Sequence, residues 1–230
     1  MALRRIAESR NRKHGKDEVI QEFGTVYPVP IGLGENVRSA STNALNPLLA
    51  NTMVLRDLYK KHHWQVSGAT FYQLHLLFDK HYNEQVELMD ALAERIVALG
   101  GVPLAAQHDV AEASSIARPP KGRESVPAQI TRLLDAHEQI LIQSRRAARE
   151  ASENGDDGTN DLIVSDVIRT NEMHVFFLSE HLADGGPAST ALLMTVGIAV
   201  LDLEGDAPDN FRRFIDRCQC KAAEARRQFP

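Results

Sequence analysis

The chain has 230 residues, 43% of them hydrophobic and 25% charged, enough apolar material to close a core without disulfide or metal staples. Its formal net charge of −5 excludes a uniformly basic nucleic-acid binder, so any polyanion must be met by a local patch. The only cysteines, Cys218 and Cys220, are too close for a disulfide framework, and no apolar run follows the N-terminal arginines; together these read as a reduced, intracellular protein.

In chain order, the first segment is basic. Met1 to Lys16 carries Arg4, Arg5, Arg10, Arg12, Lys13 and Lys16 against Glu8 alone. The acidic and basic side chains after residue 182 nearly cancel, so the residues between are strongly acidic. Pro28, Pro30, Gly32 and Gly34 oppose both helix and central strand, which predicts an extended linker. The expected division is a basic arm and linker over 1–40, a helical body over 41–182 and an extension of unassigned role over 183–230.

Four helices are predicted for the body. The first follows the cap-capable Ser41 and Thr42, carries Leu45, Leu48, Leu49, Thr52, Leu55, Tyr59, His63 and Val66 at three- and four-residue steps, and stops at Gly68. The second keeps that period through Leu74, Leu77, Phe78, Tyr82, Val86, Leu88, Leu92, Ile96 and Leu99 to Gly100-Gly101. A loop with Pro103, Pro119 and Pro120 follows. Ser125 then caps and Pro127 opens a third helix with Ile130, Leu133, Leu134, His137, Ile140 and Leu141 as its stripe, ending at Gly155. The fourth starts near Thr159 and carries Leu162, Ile163, Asp166, Val167, Met173, Phe176, Phe177 and Leu182 before Gly185. Four such helices with one longer central connection describe an all-α four-helix bundle with a crossover. In the extension, Ala191 to Leu201 is only about half the length a membrane-spanning helix needs, and Phe211 to Gln228 reads as a basic amphipathic helix.

Five side chains stand out as metal ligands by type: His63 on helix one, and His75, Asp79, Asp90 and Glu94 on helix two. Taking His75 as zero, Asp79, Asp90 and Glu94 lie at about 40°, 60° and 100° around the axis, on one side of the helix beside its apolar stripe. Asp79 and Asp90 are nevertheless roughly 16 Å apart along that axis. One chain therefore cannot close the site. A two-fold axis crossing helix two near Glu84 and Gln85 sets an antiparallel copy alongside, so that His75 and Asp79 of one subunit face Asp90 and Glu94 of the other, with two equivalent sites per dimer. A mixed imidazole and carboxylate shell suits ferrous iron better than structural zinc. Zinc or manganese without redox chemistry stays open on ligand type alone.

His63-Trp64, Ser67-Gly68, Phe71, Leu74-His75, Phe78-Asp79 and Asp90-Ala91-Leu92-Ala93-Glu94-Arg95-Ile96 resemble the Dps family of mini-ferritins, over about Leu45 to Leu182. The resemblance implies a ferritin-like bundle with a short extra helix in the central loop, around Val110 to Ile116, assembled as a hollow dodecamer. It also implies an intersubunit ferroxidase site, with His63, His75 and Asp79 from one chain and Asp90 and Glu94 from the other, and Trp64 in support. The implied activity is oxidation of Fe(II), with hydrogen peroxide as the preferred oxidant, and storage of ferric mineral. That is a cytoplasmic or nucleoid-associated role in protecting DNA. DNA binding varies within the family, and here it would rest on the basic arm, nonspecifically and with steep salt dependence. The alternative is a structural DNA-compacting protein with a vestigial or non-redox metal site.

Of the other histidines, His62, His81, His108, His137, His174 and His181 are read as structural, and Trp64, Tyr72 and Tyr82 as core. No Glu-x-x-His pair marks a carboxylate-bridged site within one bundle. No Gly-x-Ser-x-Gly elbow or phosphate-binding glycine loop is present, and Cys218 and Cys220 are weak grounds for a soft-metal site.

Overall fold

The apolar period is realised as helices in a computed structural model of the chain, which describes residues 19–183. The arm Arg4 to Lys16, the run Ala191 to Leu201, the helix expected over Phe211 to Gln228 and Cys218 and Cys220 lie outside the described residues. Residues Met1–Ser179 and Glu180–Pro230 form two units, and the bundle belongs to the first. Its helices are α1 (Glu35–Gln65), α2 (Phe71–Ala98), α3 (Gln107–Ala113), α4 (Val126–Glu153) and α5 (Asp157–Asp161), a π-helical segment (Leu162–Ile168) and α6 (Arg169–Glu180). Among the described residues there is no strand. A short turn makes α1 and α2 a hairpin, and another joins α4 to the fourth rod, made of α5, the π segment and α6. The connection between the hairpins crosses over and carries α3 against α1.

The stripes meet in one core. Leu45, Leu48, Leu49, Leu55 and Tyr59 of α1, Leu74, Phe78, Leu92 and Ile96 of α2, Leu133 and Ile140 of α4, and Ile163 and Val167 of the π segment are all fully buried. Each large aliphatic side chain withdrawn this way contributes about 1.5–3 kcal/mol. Two asparagines of α1 anchor the crossover: Asn46 Oδ1 accepts from the Leu104 amide at 2.9 Å, and Asn51 Oδ1 accepts from the Ser115 amide at 2.9 Å. Pro47 sits inside α1, where it removes one backbone donor; the helix continues regardless over 31 residues.

Several expectations are corrected. Helix one begins at Glu35, within the expected linker, so Ser41 and Thr42 are interior, buried residues and not caps. The preceding segment is pinned to the end of α2: the Tyr27 amide donates to the Gly100 carbonyl at 3.0 Å, and Arg38 Nη1 donates to the carbonyls of Tyr27 at 2.6 Å and Leu99 at 3.0 Å. Gly100 adopts φ +84°, and a Cβ there would run into the Tyr27 carbonyl, so glycine is required on both counts. Met173, Phe176 and Phe177 are exposed, while Asn171, His174 and Leu178 point inward. The buried stripe Ile163, Val167, Asn171, His174 and Leu178 keeps three- and four-residue steps and includes two polar residues, which an apolar pattern does not mark. Asp166 is also exposed. Trp64 and Tyr72, expected in the core, are 72% and 67% exposed in the single chain. Tyr82 is half-buried, and the short central helix lies at Gln107–Ala113, slightly before its expected position.

Candidate metal centre

The turn between α1 and α2 brings His63 and His75 together. Their rings stack with centroids 3.7 Å apart and planes 18° from parallel. Each Nδ1 faces the other residue's backbone carbonyl, at 2.8 Å for His63 and 2.9 Å for His75. A carbonyl only accepts, so both Nδ1 atoms carry the proton and both Nε2 atoms present lone pairs. The His63 carbonyl lies in the last turn of α1, where carbonyls lack helical partners. The chain terminus of one helix thus fixes the tautomer of a ring on the next, the arrangement found behind metal-binding imidazoles.

One turn along α2, the Asp79 carboxylate is held by the Lys60 ammonium, which also lies 4.0 Å from the centroid of the Tyr82 ring. The Lys60 hydrogen bond is the main reason the Asp79 carboxyl is held below its usual range, with His63 and His75 adding to it. Asp90 and Glu94 are exposed and form no hydrogen bond or ion pair among the described residues. On α2 the buried positions Leu74, Phe78, His81, Gln85, Leu88, Leu92 and Ile96 form the inward face, so the four expected ligands of α2 lie along its outward side. Trp64, Phe71, Tyr72 and Leu76, all exposed, cluster near the His63 and His75 end. In the single chain, then, His63, His75 and Asp79 are neighbours, while Asp90 and Glu94 stand about three turns away.

A second polar assembly lies inside the bundle. Among the described residues, the one group of ligating atoms all within 4.8 Å of one another belongs to His81, Glu84 and His174. The rings of His81 and His174 stack at 3.7 Å, and Nε2 of His174 lies 2.8 Å from Oε2 of Glu84. The other Glu84 oxygen meets Lys80. A hydrogen-bond chain runs behind these residues, and its proton positions follow from one end. Asn171 Nδ2 donates to the Val167 carbonyl at 2.7 Å, so its Oδ1 accepts from His137 Nδ1 at 2.8 Å. His137 Nε2 then accepts from the Tyr59 hydroxyl at 2.5 Å, and the Tyr59 oxygen accepts from His81 Nδ1 at 3.1 Å. His81 Nε2 is left with a lone pair and no donor, buried and without a hydrogen-bond partner. Gln85 Nε2 donates to Asn171 Oδ1 at 3.2 Å and to His174 Nδ1 at 3.3 Å, leaving Gln85 Oε1 also without a partner.

Reading these histidines as buried structural residues is right as to burial, but they form one cluster. Sequence reasoning missed that cluster. The available signal was that His81 and Gln85, His137, and Asn171 and His174 fall in phase with the buried stripes of three helices. His62 is buried as well, with neither ring nitrogen partnered, whereas His108 and His181 are exposed.

Burial pushes the His62 and His137 imidazoles down to about 4 and those of His81 and His174 to about 2, the latter two lowered further by neighbouring histidines. All four are neutral in the folded chain near neutral pH, while an unfolded histidine gains its proton below about 6.5. The unfolded state therefore binds more protons as the pH falls through that value, and each histidine subtracts up to about 1.4 kcal/mol per pH unit. We expect the urea midpoint to fall clearly between pH 7.5 and 5.5, before the carboxylates titrate. An unchanged midpoint would contradict the buried neutral cluster.

Known proteins give this arrangement a context. The ferritin-like domain family matches residues 42–185. DpsC from Streptomyces coelicolor is 54% identical, with a TM-score of 0.72 over 73% of this chain and 97% of that one. The nutrient stress-induced DNA-binding protein of Nostoc is 36% identical over 72% of this chain and 89% of its own length. A Dps protein from Vibrio cholerae, described as a member of a broad superfamily of ferritin-like diiron-carboxylate proteins, is 31% identical, with a TM-score of 0.64 over 70% of this chain and 99% of that one. By its fold, by that domain match and by these relatives, the chain belongs to the Dps family of ferritin-like proteins.

Proposed function

We propose that this protein oxidises Fe(II) at sites shared between two-fold-related subunits and stores the ferric product inside a hollow oligomer, as a dodecamer. The observation that carries the reading is the His63 and His75 pair, whose Nδ1 atoms are tied to backbone carbonyls and whose Nε2 lone pairs are free. Asp79 lies beside it, and Asp90 and Glu94 lie exposed on the same side of α2, where an antiparallel copy would bring them to the partner's His75. Iron enters as substrate, drawn by the acidic body. The imidazoles supply neutral donors, and the carboxylates stabilise the rising positive charge on iron as each Fe(II) gives up an electron. Hydrogen peroxide is the oxidant in this reading. Its O–O bond takes the electrons from two Fe(II) ions and, with two protons, is reduced to two molecules of water. Lys60 holds only Oδ1 of Asp79, which leaves Oδ2 for iron.

The test is direct: full-length protein receives Fe(II) anaerobically, then peroxide, and ferric absorbance is followed against iron in buffer. Rapid oxidation consuming two Fe(II) per peroxide is expected, and a rate no faster than buffer would overturn the proposal.

A DNA role would rest on Arg4, Arg5, Arg10, Arg12, Lys13 and Lys16, displayed many times over on an assembled particle so that weak phosphate contacts add by avidity. It fits a cytoplasmic, nucleoid-associated protein. Deleting Met1 to Lys16 is expected to abolish the gel shift of duplex DNA at low salt, where the full chain binds whatever the DNA sequence. The full chain should itself lose binding steeply as salt rises. Equal retention by the truncated protein would remove the arm from this role.

A further inference from the structure

We propose a second, separate metal site within each subunit, formed by Nε2 of His81, Nε2 of His174 and the Glu84 carboxylate, for a divalent first-row transition metal ion. Two imidazoles and one carboxylate, with further positions open, are a donor set that zinc and ferrous iron both accept.

The placement is physical. His81 and Glu84 sit three residues apart on α2 and His174 faces them from α6, so three donors converge from two packed helices. They lie within 4.8 Å of one another. Donors about 2.1 Å from a tetrahedral ion are about 3.4 Å apart, and the His81 and His174 rings stack 13° from parallel, so closure requires the two rings to tilt apart until both in-plane Nε2 lone pairs meet at the ion. The rings are 0% and 1% exposed, and Glu84, partly exposed, provides the route of entry. This face of α2 is opposite the one that carries His75, Asp79, Asp90 and Glu94, so the two sites share a helix but no ligand.

One otherwise unexplained atom points to the occupant. His81 Nε2 is a buried lone pair that nothing donates to, a costly condition for a polar atom in a core. A cation satisfies it where no side chain does. In the metal-free arrangement Gln85 Nε2 donates to His174 Nδ1, so the His174 proton resides on Nε2 and points at Glu84. When the ion takes the place of that proton, the proton moves to Nδ1 and the Gln85 amide turns over so that its oxygen accepts from His174 Nδ1–H, at the loss of the Gln85–Asn171 bond. The ion thus gives a partner to His81 Nε2, and the proton count does not change. Tyr59, hydrogen-bonded to His81 Nδ1, orients that ring from behind, as partners of metal-bound imidazoles do.

The experiment uses Co2+ on full-length protein carrying His63→Ala, His75→Ala, Asp90→Ala and Glu94→Ala, so that the intersubunit site is disabled. After excess ion is removed, retained cobalt per chain and the visible ligand-field absorption are measured. We expect one tightly held Co2+ per chain, and at least about a tenfold loss of affinity when Glu84→Gln or His174→Gln is added. Failure to retain cobalt would overturn the proposal, as would equal retention in the Glu84→Gln protein. Because Glu84 is partly exposed, that variant keeps the test valid if His174→Gln does not fold, and far-ultraviolet circular dichroism verifies folding in each case.

Discussion

Replacing Asp90 and Glu94 together by alanine is expected to slow the initial oxidation of Fe(II) at least about a hundredfold, since losing even residues that merely orient metal ligands can cost that much. The same protein should assemble and unfold like the wild type. Both carboxylates are exposed and bond to nothing among the described residues, so their loss changes stability by no more than about 0.5 kcal/mol. Opposite outcomes for rate and assembly distinguish a shared iron site from a fold defect. The measurements are ferric absorbance after mixing with Fe(II) and peroxide, and particle size by light scattering. Wild-type rates in an assembled double variant would move the iron chemistry elsewhere.

Asp156→Ala is the change expected to hurt the fold most. The carboxylate is buried at the start of α5, where it accepts from the Thr159 amide at 3.1 Å and from the hydroxyls of Ser41 and Thr159, both at 2.6 Å. It also holds Arg95 at 2.5 Å. Burial pushes the carboxyl up, but the Ser41 and Thr159 hydrogen bonds and the Arg95 charge outweigh it, and the net shift is downward. One residue therefore caps the fourth rod and ties it to α1 and α2. Alanine removes the cap and leaves Arg95 without its partner, a loss of about 3 kcal/mol once the partial exposure of Arg95 is allowed for. Melting should fall by roughly 6–12 °C. Asp156→Asn, which can still cap, should lose clearly less. A melting temperature within a degree of wild type in the alanine variant would contradict the assigned role.

The bundle was legible because its apolar residues return every three or four positions, and a helix that buries one stripe leaves that mark whatever its neighbours are. What the period does not say is which body a stripe faces. Trp64 and Tyr72 look like core residues in a one-dimensional pattern, yet both are exposed in the single chain. The beginning of α1 was hidden because its first turns are polar and are held by Arg38 bonding to backbone of a distant turn, a tertiary contact with no periodic trace. The register of α6 was lost for a different reason: the inward stripe Ile163, Val167, Asn171, His174 and Leu178 keeps the helical step but is polar at Asn171 and His174, while the apolar Met173, Phe176 and Phe177 lie outside it.

The two metal-type clusters differ in the same way. His75, Asp79, Asp90 and Glu94 drew attention as ionisable side chains gathered beside an apolar stripe of one helix, visible without any knowledge of packing. His81, His137 and His174 lie within apolar stripes, where each alone is well explained as a buried histidine. Only the meeting of α2, α4 and α6 around Tyr59 turns three unremarkable positions into one network.

The shared site is tested most directly by complementation between two inactive chains. One carries His63→Ala and His75→Ala, the other Asp90→Ala and Glu94→Ala, and the two are co-expressed so that dimers form at random. Each mixed two-fold dimer then contains one intact site and one doubly broken one, so about a quarter of wild-type oxidation should return from two proteins that are each inactive. Co-assembled particles as inactive as their parents would show that the five ligands do not meet across the subunit boundary.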